Sequence, residues 1–368
     1  MNREKQIVRT SIIGIIANVM LAAFKAVIGL VSNSIAIIMD AVNNLSDALS
    51  SIITIIGTKL AAKAPDKKHP LGHGRIEYLS AMVISVIILY AGVTSLIESV
   101  KKIISPEVPE YKSLSLVIIA VAVAVKIILG TYVKKVGKNV NSDALVASGT
   151  DALFDSIIST ATLVAAIIYI VFGLSLESWL GAIISIIIIK SGLEMLSDTI
   201  SDILGKRIDP ELAKSIKASI NSFENVRGTY DLVVHNYGPE FLIGSAHIEV
   251  PDTLDIKELD MLERRISEKV YADTGVTMAG LSIYSYNTKN KDAERLQKEI
   301  KEKVLKHEHV LQLHGFYLEE DTNTIRFDIV VGFETSDRRG VFNDVVKGLE
   351  EAYPDYKFSV ALDQDISD

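Results

Sequence analysis

Apolar and charged positions are spread unevenly along this chain. Up to about residue 205 Ile, Val, Ala and Leu dominate, and after Asp209 a charged residue recurs every few positions. A helix needs about 20 mostly apolar residues to cross a bilayer. Six segments reach that length: residues 10–31, 34–62, 76–100, 114–133, 144–172 and 177–204. The breaks between them are short or polar. Ser32-Asn33 reads as a tight turn, residues 63–75 as a basic loop with two histidines, 105–112 as a stretch with two prolines, and 173–176 as the last hairpin. The pattern predicts an α-helical membrane bundle of six transmembrane helices, forming a domain over residues 1–208.

Asp209-Pro210 then marks a helix start, a short polar side chain ahead of a proline. From there helical and alternating patterns follow one another twice. Residues 214–223, 230–236, 244–250, 256–271 and 277–286 read as helix, strand, strand, helix, strand; residues 293–306, 312–319, 324–333, 337–353 and 356–362 repeat that order. The order predicts an α+β ferredoxin-like domain used twice, over 209–288 and 289–368.

Charge adds orientation. With the N-terminus inside, the inner segments carry Arg3, Lys5, Arg9, Lys63, Lys67, Lys68, Arg75, Lys134, Lys135 and Lys138, against Lys101, Lys102 and Lys112 outside. The excess of inner positive charge places both termini and the acidic C-terminal region in the cytoplasm of a cell-membrane, multi-pass protein. Arg3, Lys5 and Arg9 ahead of an apolar run resemble a signal peptide, but no small-residue cleavage site stands out, so the first helix is expected to be retained. A net charge of −8 without a basic, aromatic-studded stripe argues against nucleic acid as a partner. The chain has 0 cysteines, so any metal ligand must be an oxygen or an imidazole nitrogen.

An ionisable side chain at membrane depth is costly and marks function by default. The second segment reads Asp40-Ala-Val-Asn43-Asn-Leu-Ser-Asp47, and the fifth Asp151-Ala-Leu-Phe-Asp155. Asn43 and Asp47 lie one helical turn apart on one face, as do Asp151 and Asp155. Two such helices facing each other would offer four oxygen-bearing side chains. Carboxylates gathered without a cation repel, so protons or a divalent ion must neutralise them, which is a basis for metal/proton exchange. Asp143, beside Ser142, reads as a helix cap, and Asp40 as structural. Facing aspartates would also suit an intramembrane aspartyl protease, but Ser148-Gly149-Thr150-Asp151 lacks the Gly-x-Gly-Asp setting. A membrane-bound metal sensor is a further reading, with no kinase or DNA-binding output module in the sequence.

Asp40-x-x-Asn43-x-x-x-Asp47, then His69-Pro-Leu-Gly-His73-Gly-Arg75-Ile-Glu77, then Asp151-x-x-x-Asp155 together resemble the cation diffusion facilitator family over residues 9–288. The resemblance implies a homodimeric exporter of divalent metal against inward protons, with no enzymatic activity and no cofactor beyond the transported ion. Carried over, Asn43, Asp47, Asp151 and Asp155 would be the transport ligands. Zinc-transporting members usually have His at the position of Asp151, and His or Asp at that of Asn43. An all-oxygen set suits Mn²⁺ better than Zn²⁺, and it resembles the manganese branch; Zn²⁺, Fe²⁺ and Co²⁺ stay as alternatives.

Two further sites follow from the resemblance. Asp66, His69 and His73 match positions that bind a second ion in zinc-exporting relatives. The family's cytoplasmic domain normally has one copy and binds metal through His and Asp on its strands. In the first copy only His247 remains suited to that, beside Tyr230, Tyr284 and Tyr286. The second copy places His314, Asp328, Asp363 and Asp365 at roughly corresponding points, so a cytoplasmic metal site is expected there, with a solvated acidic edge as the plainer alternative.

Overall fold

A computed structural model describes residues 3–31, 35–105, 113–172 and 177–364 of the chain. It falls into two compact units, one of Met1–Lys206 with Tyr237–Glu240 and the other of Arg207–Asn236 with Phe241–Asp368.

The first unit contains six long helices: α1 (Arg3–Val31), α2 (Ile35–Ala61), α3 (Ile76–Ile104), α4 (Ser113–Asn139), α5 (Asp143–Phe172) and α6 (Glu177–Leu204). They form where the apolar runs lie. The start of α1 extends ahead of its run because Arg3 anchors it. Its guanidinium donates to the backbone oxygens of Val140 and Asn141, both at 2.7 Å, and to Glu77 Oε1 at 2.8 Å. Among the described residues, α1, α3, α4 and α6 are long and apolar enough to cross a membrane. Helices α2 and α5 carry Asp40 and Asp47, and Asp151 and Asp155, within their apolar sequences.

Burial in this unit is inverted relative to a protein folded in water. Ile16, Met20, Tyr90, Ile128, Ile183 and Ile186 are exposed, whereas Asn18, Asn44, Thr54, Ser85 and Lys126 are buried. Apolar surface that extensive fits a hydrocarbon surround. The helices pack in pairs, α1 on α2, α3 on α6 and α4 on α5. The last pair is tight because glycines form its seam. A Cβ on Gly149 would stand 2.5 Å from the Lys134 backbone nitrogen, and one on Gly137 would stand 2.8 Å from that of Val146. Small residues at a crossing let backbones approach, and this approach brings a side chain of α4 to the acidic face of α5. At the head of α5, Ser142 rather than Asp143 supplies the cap. Its Oγ accepts from Leu145 N at 3.4 Å.

The second unit holds α7 (Pro210–Asn221), β1 (Gly228–Asn236), β2 (Leu242–Pro251), α8 (Ile256–Thr274) and β3 (Thr277–Tyr286). Then come α9 (Lys291–Val304), β4 (Val310–Glu319), β5 (Thr324–Val331), α10 (Arg338–Ala352) and β6 (Lys357–Gln364). Local chemistry sets the ends. Asp209 caps α7 by accepting from Glu211 N and Leu212 N, with Pro210 in the first turn. Asp255 and Glu258 form a reciprocal capping box on α8, and Gly275 ends it at φ 74°.

Each half builds a three-stranded sheet, β1-β2-β3 and β4-β5-β6, whose first pair is antiparallel and second parallel. This is a ferredoxin-like frame without its opening strand, a difference from the four strands that the full βαββαβ order would supply. The apolar cores are separate. Ile216, Leu232, Ile248 and Ile266 centre the first, and Ile300, Phe316, Phe327 and Ile329 the second.

Both first strands carry a bulge at the same place. In β1 the register shifts between Tyr230 and Val233, and Asp231 adopts φ 51°; in β4 it shifts between His314 and Tyr317, and Gly315 adopts φ 65°. Tyr230 pairs with His247 just as His314 pairs with Asp328.

Candidate metal centre

Asp47 on α2 and Asp155 on α5 converge on one side chain from a third helix. Lys126 of α4 places its Nζ 2.6 Å from Asp47 Oδ2 and 2.6 Å from Asp155 Oδ2. The lysine side chain is 4% exposed, and the two carboxylates 12% and 20%. Asp151, one turn before Asp155, accepts from Ser50 Oγ of α2 at 3.4 Å. Asp47, Asp151 and Asp155 thus gather between α2 and α5. Asn43 lies on α2 one turn before Asp47, and its side chain, like that of Asp40, is outside the described residues.

Three carboxylates against one ammonium leave the cluster two negative charges. A buried charge is tolerated only when paired, so the lysine accounts for one carboxylate and protons or a cation must neutralise the remainder. Sequence reasoning missed Lys126, although an ionisable residue inside an apolar run is itself the signal. It also missed Lys25 of α1, which is buried and donates to Asn44 Oδ1 at 3.4 Å, beside the Asn43 position.

The loop before α3 gathers Asp66, His69 and His73, with one ligand atom of each within 4.8 Å of the others. Asp66 accepts from the backbone N–H of Lys68 and His69 at 3.0 and 2.8 Å and pairs with Lys63 at 3.1 Å. The His69 N–H, then Lys63, hold its carboxyl well below the usual range. His73 is 9% exposed, with Nε2 3.6 Å from Asp66 Oδ2 and Nδ1 without a hydrogen-bond partner.

In the second unit His314 and Asp363 lie together, joined by Asp231 of the first sheet. His314 Nε2 stands 3.2 Å from Asp231 Oδ1 and 3.5 Å from Asp363 Oδ2. Asp328 is drawn aside: its Oδ2 takes the Tyr284 hydroxyl at 2.5 Å. Asp365 lies outside the described residues. Burial alone would push Asp231 up, but the imidazoles of His247 and His314 outweigh it and hold the carboxyl well below its usual range. Burial, then Asp231, push Asp363 up to about 6. Burial and Asp328 raise the Tyr284 phenol, which stays a donor.

With this geometry in place, comparison defines the class. The profile of the cation efflux transmembrane domain matches residues 11–204, and that of the cation efflux protein cytoplasmic domain matches residues 208–278. The chain belongs to the cation efflux, or cation diffusion facilitator, family. It is a membrane transporter of divalent metal cations and not an enzyme.

Among its relatives is an uncharacterized transporter of Methanocaldococcus jannaschii, 28% identical over 282 residues that cover 76% of this chain and 98% of that protein. The manganese efflux system protein MneP of Bacillus subtilis is 28% identical, over 73% of this chain and 92% of its own length. The magnetosome protein MamB of Paramagnetospirillum magneticum is 27% identical, over 69% and 87%. Residues 279–368, with the whole second sheet, lie beyond both profiles.

Proposed function

We propose that this chain exports Mn²⁺ in exchange for protons, using Asn43 and Asp47 of α2 with Asp151 and Asp155 of α5. The observation that carries the reading is Lys126. Carboxylates from two helices approach closely enough to share one cation, which is the geometry a transported ion requires. The oxygen-only donor set favours Mn²⁺ over Zn²⁺, and a relative named for manganese efflux supports that preference.

In this mechanism Lys126 competes with the ion. Metal from the cytoplasm displaces the ammonium and any protons from Asp47 and Asp155, the helices rock about the midplane, and protons from outside release the metal. All six helices cross the bilayer, with both termini in the cytoplasm. Asp66, His69 and His73 form an accessory site on the cytoplasmic side. Two chains associate as a homodimer. The domains run 1–208, 209–288 and 289–368, the last a repeat of the second.

The test is metal uptake into proteoliposomes under an imposed pH gradient, comparing Mn²⁺ with Zn²⁺, Fe²⁺ and Co²⁺. Faster Mn²⁺ uptake with accompanying proton flux is expected. Preferential Zn²⁺ flux would overturn the donor-set argument, and metal flux without proton movement would overturn the exchange.

A further inference from the structure

The seam between α1 and α2 is polar where the other two helix pairs are largely apolar. Helices α3 and α6 close on Ile84, Ile88 and Ile188, and α4 and α5 on Leu129, Val133 and Leu145. By contrast α1 buries Ser11, Asn18 and Lys25, and α2 buries Asn44, Ser51 and Thr58. Each set recurs every seven residues, so each forms one stripe along its helix. The stripes face each other. Lys25 Nζ meets Asn44 Oδ1 at 3.4 Å, and a Cβ on Gly14 would stand 2.9 Å from Ser51 Oγ. The antiparallel register this sets brings Asn18 near the level of Ser51, and Ser11 near that of Thr58. Asp47 borders the α2 stripe, between Asn44 and Ser51 in sequence.

Four side-chain atoms of this seam have no hydrogen-bond partner: Ser11 Oγ, Asn18 Oδ1, Asn44 Nδ2 and Thr58 Oγ1, all on residues no more than 4% exposed. Elsewhere among the described residues of the six helices only Glu77, at the head of α3, leaves such an atom. Hydroxyls between α3 and α6 show the contrast. Ser85 donates to Ala81 O at 2.9 Å, and Ser185 to Ser95 Oγ at 2.8 Å. Close packing accounts for small residues at a helix crossing, but not for polar atoms buried without partners, which cost about 1–3 kcal/mol each. Water satisfies such atoms where several polar groups line its path.

We infer that the α1–α2 seam binds a file of water that conducts protons between Asp47 and the cytoplasmic ends of the two helices, apart from the route of the metal. The inference rests on the proposed exchange at Asp47. From Asn44 to Thr58 the file spans about 21 Å at the helical rise, against about 30 Å for the hydrocarbon core. A proton leaving the carboxylate passes to the nearest water. Each water or hydroxyl along the seam then takes one proton from the side of Asp47 and gives one up toward Thr58. The chain is left unchanged, and one proton emerges at the cytoplasmic end. Lys25 closes the other end, because a positive charge repels an approaching proton. That closure matters: a file open at both ends would leak protons without moving metal.

The experiment uses the full chain in proteoliposomes, with Thr58→Val and Asn18→Leu, which keep bulk and remove the hydrogen-bonding groups. Two fluxes are compared. Mn²⁺ uptake driven by a pH gradient needs proton movement; exchange of Mn²⁺ for radiolabelled Mn²⁺ at equal pH does not. Each variant is expected to slow the first by about tenfold, with a larger further slowing in D₂O than the wild type shows, and to keep the second at the wild-type rate. Thr58→Ser, which restores the hydroxyl, should match the wild type in both. Thr58→Val, the smaller change, carries the test if Asn18→Leu does not fold. Variants that keep both fluxes, or lose both alike, overturn the path while leaving the exchange at Asp47 standing. Wild-type uptake without proton movement overturns that exchange, and the path with it.

Discussion

Replacing Lys126 by Met keeps most of the side chain's bulk and removes its charge. The ammonium is held by two charge-assisted hydrogen bonds at 2.6 Å, each worth about 1.5–3 kcal/mol. An ion that takes Asp47 and Asp155 must break both, and the displaced ammonium regains part of that by finding water or other oxygens. If it regains half, competition from the lysine weakens metal binding by about 1.5–3 kcal/mol. At about 1.4 kcal/mol per tenfold, Lys126→Met should bind Mn²⁺ about 10- to 100-fold more tightly than the wild type. Without metal the variant loses the one positive charge that compensates the cluster, which costs about 3–5 kcal/mol. Its unfolding temperature should therefore fall without Mn²⁺ and recover disproportionately with it. Transport should slow because the tighter ion leaves later. Calorimetric titration of Mn²⁺ into the purified proteins, with thermal unfolding at both metal extremes, reads all but the last. Lys126→Arg keeps the charge and should stay near wild type. Unchanged or weaker Mn²⁺ binding in a folded Lys126→Met protein would refute the competition.

Asp47→Ala and Asp155→Ala should each reduce proteoliposome uptake to background while the protein stays folded by circular dichroism, since each removes a repelling carboxylate and leaves Lys126 one partner. Gly149→Ala puts a Cβ 2.5 Å from the backbone of Lys134; forcing α4 and α5 apart should cost about 1–3 kcal/mol in thermal unfolding and lower transport by shifting Lys126 from Asp155. Asp273 ties α8 to α7 by accepting from Ser219 Oγ at 2.7 Å and pairing with Lys269 at 2.9 Å, first Ser219 and then Lys269 holding its carboxyl low. Its contribution to stability is full above the unfolded carboxylate value of 3.8 and is lost as pH falls toward the lower folded one. The stability gap between wild type and Asp273→Asn should therefore be widest near neutrality and narrow in acid, as urea unfolding across pH would measure.

The elements were legible where one chain segment decides its own structure. β3 spans 277–286 as the alternation predicted, because Gly275 closes the helix before it and a polar stretch follows. The early start of α1 was not legible, since it depends on Arg3 reaching residues 77, 140 and 141. Pairs of acids one turn apart were readable from helical period alone. Lys126 was not assigned because a lone lysine in an apolar run also suits a side chain reaching for the bilayer surface. Only the phase of α4 against α2 and α5 turns it inward. Asp231 escaped notice for a similar reason. Strand alternation does not announce a bulge, and the left-handed turn at Asp231 exists to serve a partner more than eighty residues away in sequence. Asp328 was readable as an acid at the right strand position, but the Tyr284 hydroxyl opposite it belongs to the other sheet.

Lys126 also bears on how an all-oxygen site discriminates. Three carboxylates alone would hold any cation, monovalent or divalent, and would be hard to keep at membrane depth. The tethered ammonium satisfies Asp47 and Asp155 with ideal contact distances and no loss of translational freedom, so a free monovalent ion has the same charge to offer and a larger entropy to give up. A divalent ion brings twice the charge to the same oxygens and reaches Asp151 as well, which Lys126 does not touch among its hydrogen-bond partners. On the proposed mechanism, selection for charge falls to the lysine, and selection among divalent ions to the donor atoms. The two separate experimentally. Lys126→Met should gain measurable competition by Na⁺ or K⁺ against Mn²⁺ binding, whereas Asp151→His should shift preference toward Zn²⁺ and leave monovalent ions excluded. If Asp151→His admitted Na⁺ or K⁺, or Lys126→Met still excluded them, charge and chemistry would not be selected by different residues.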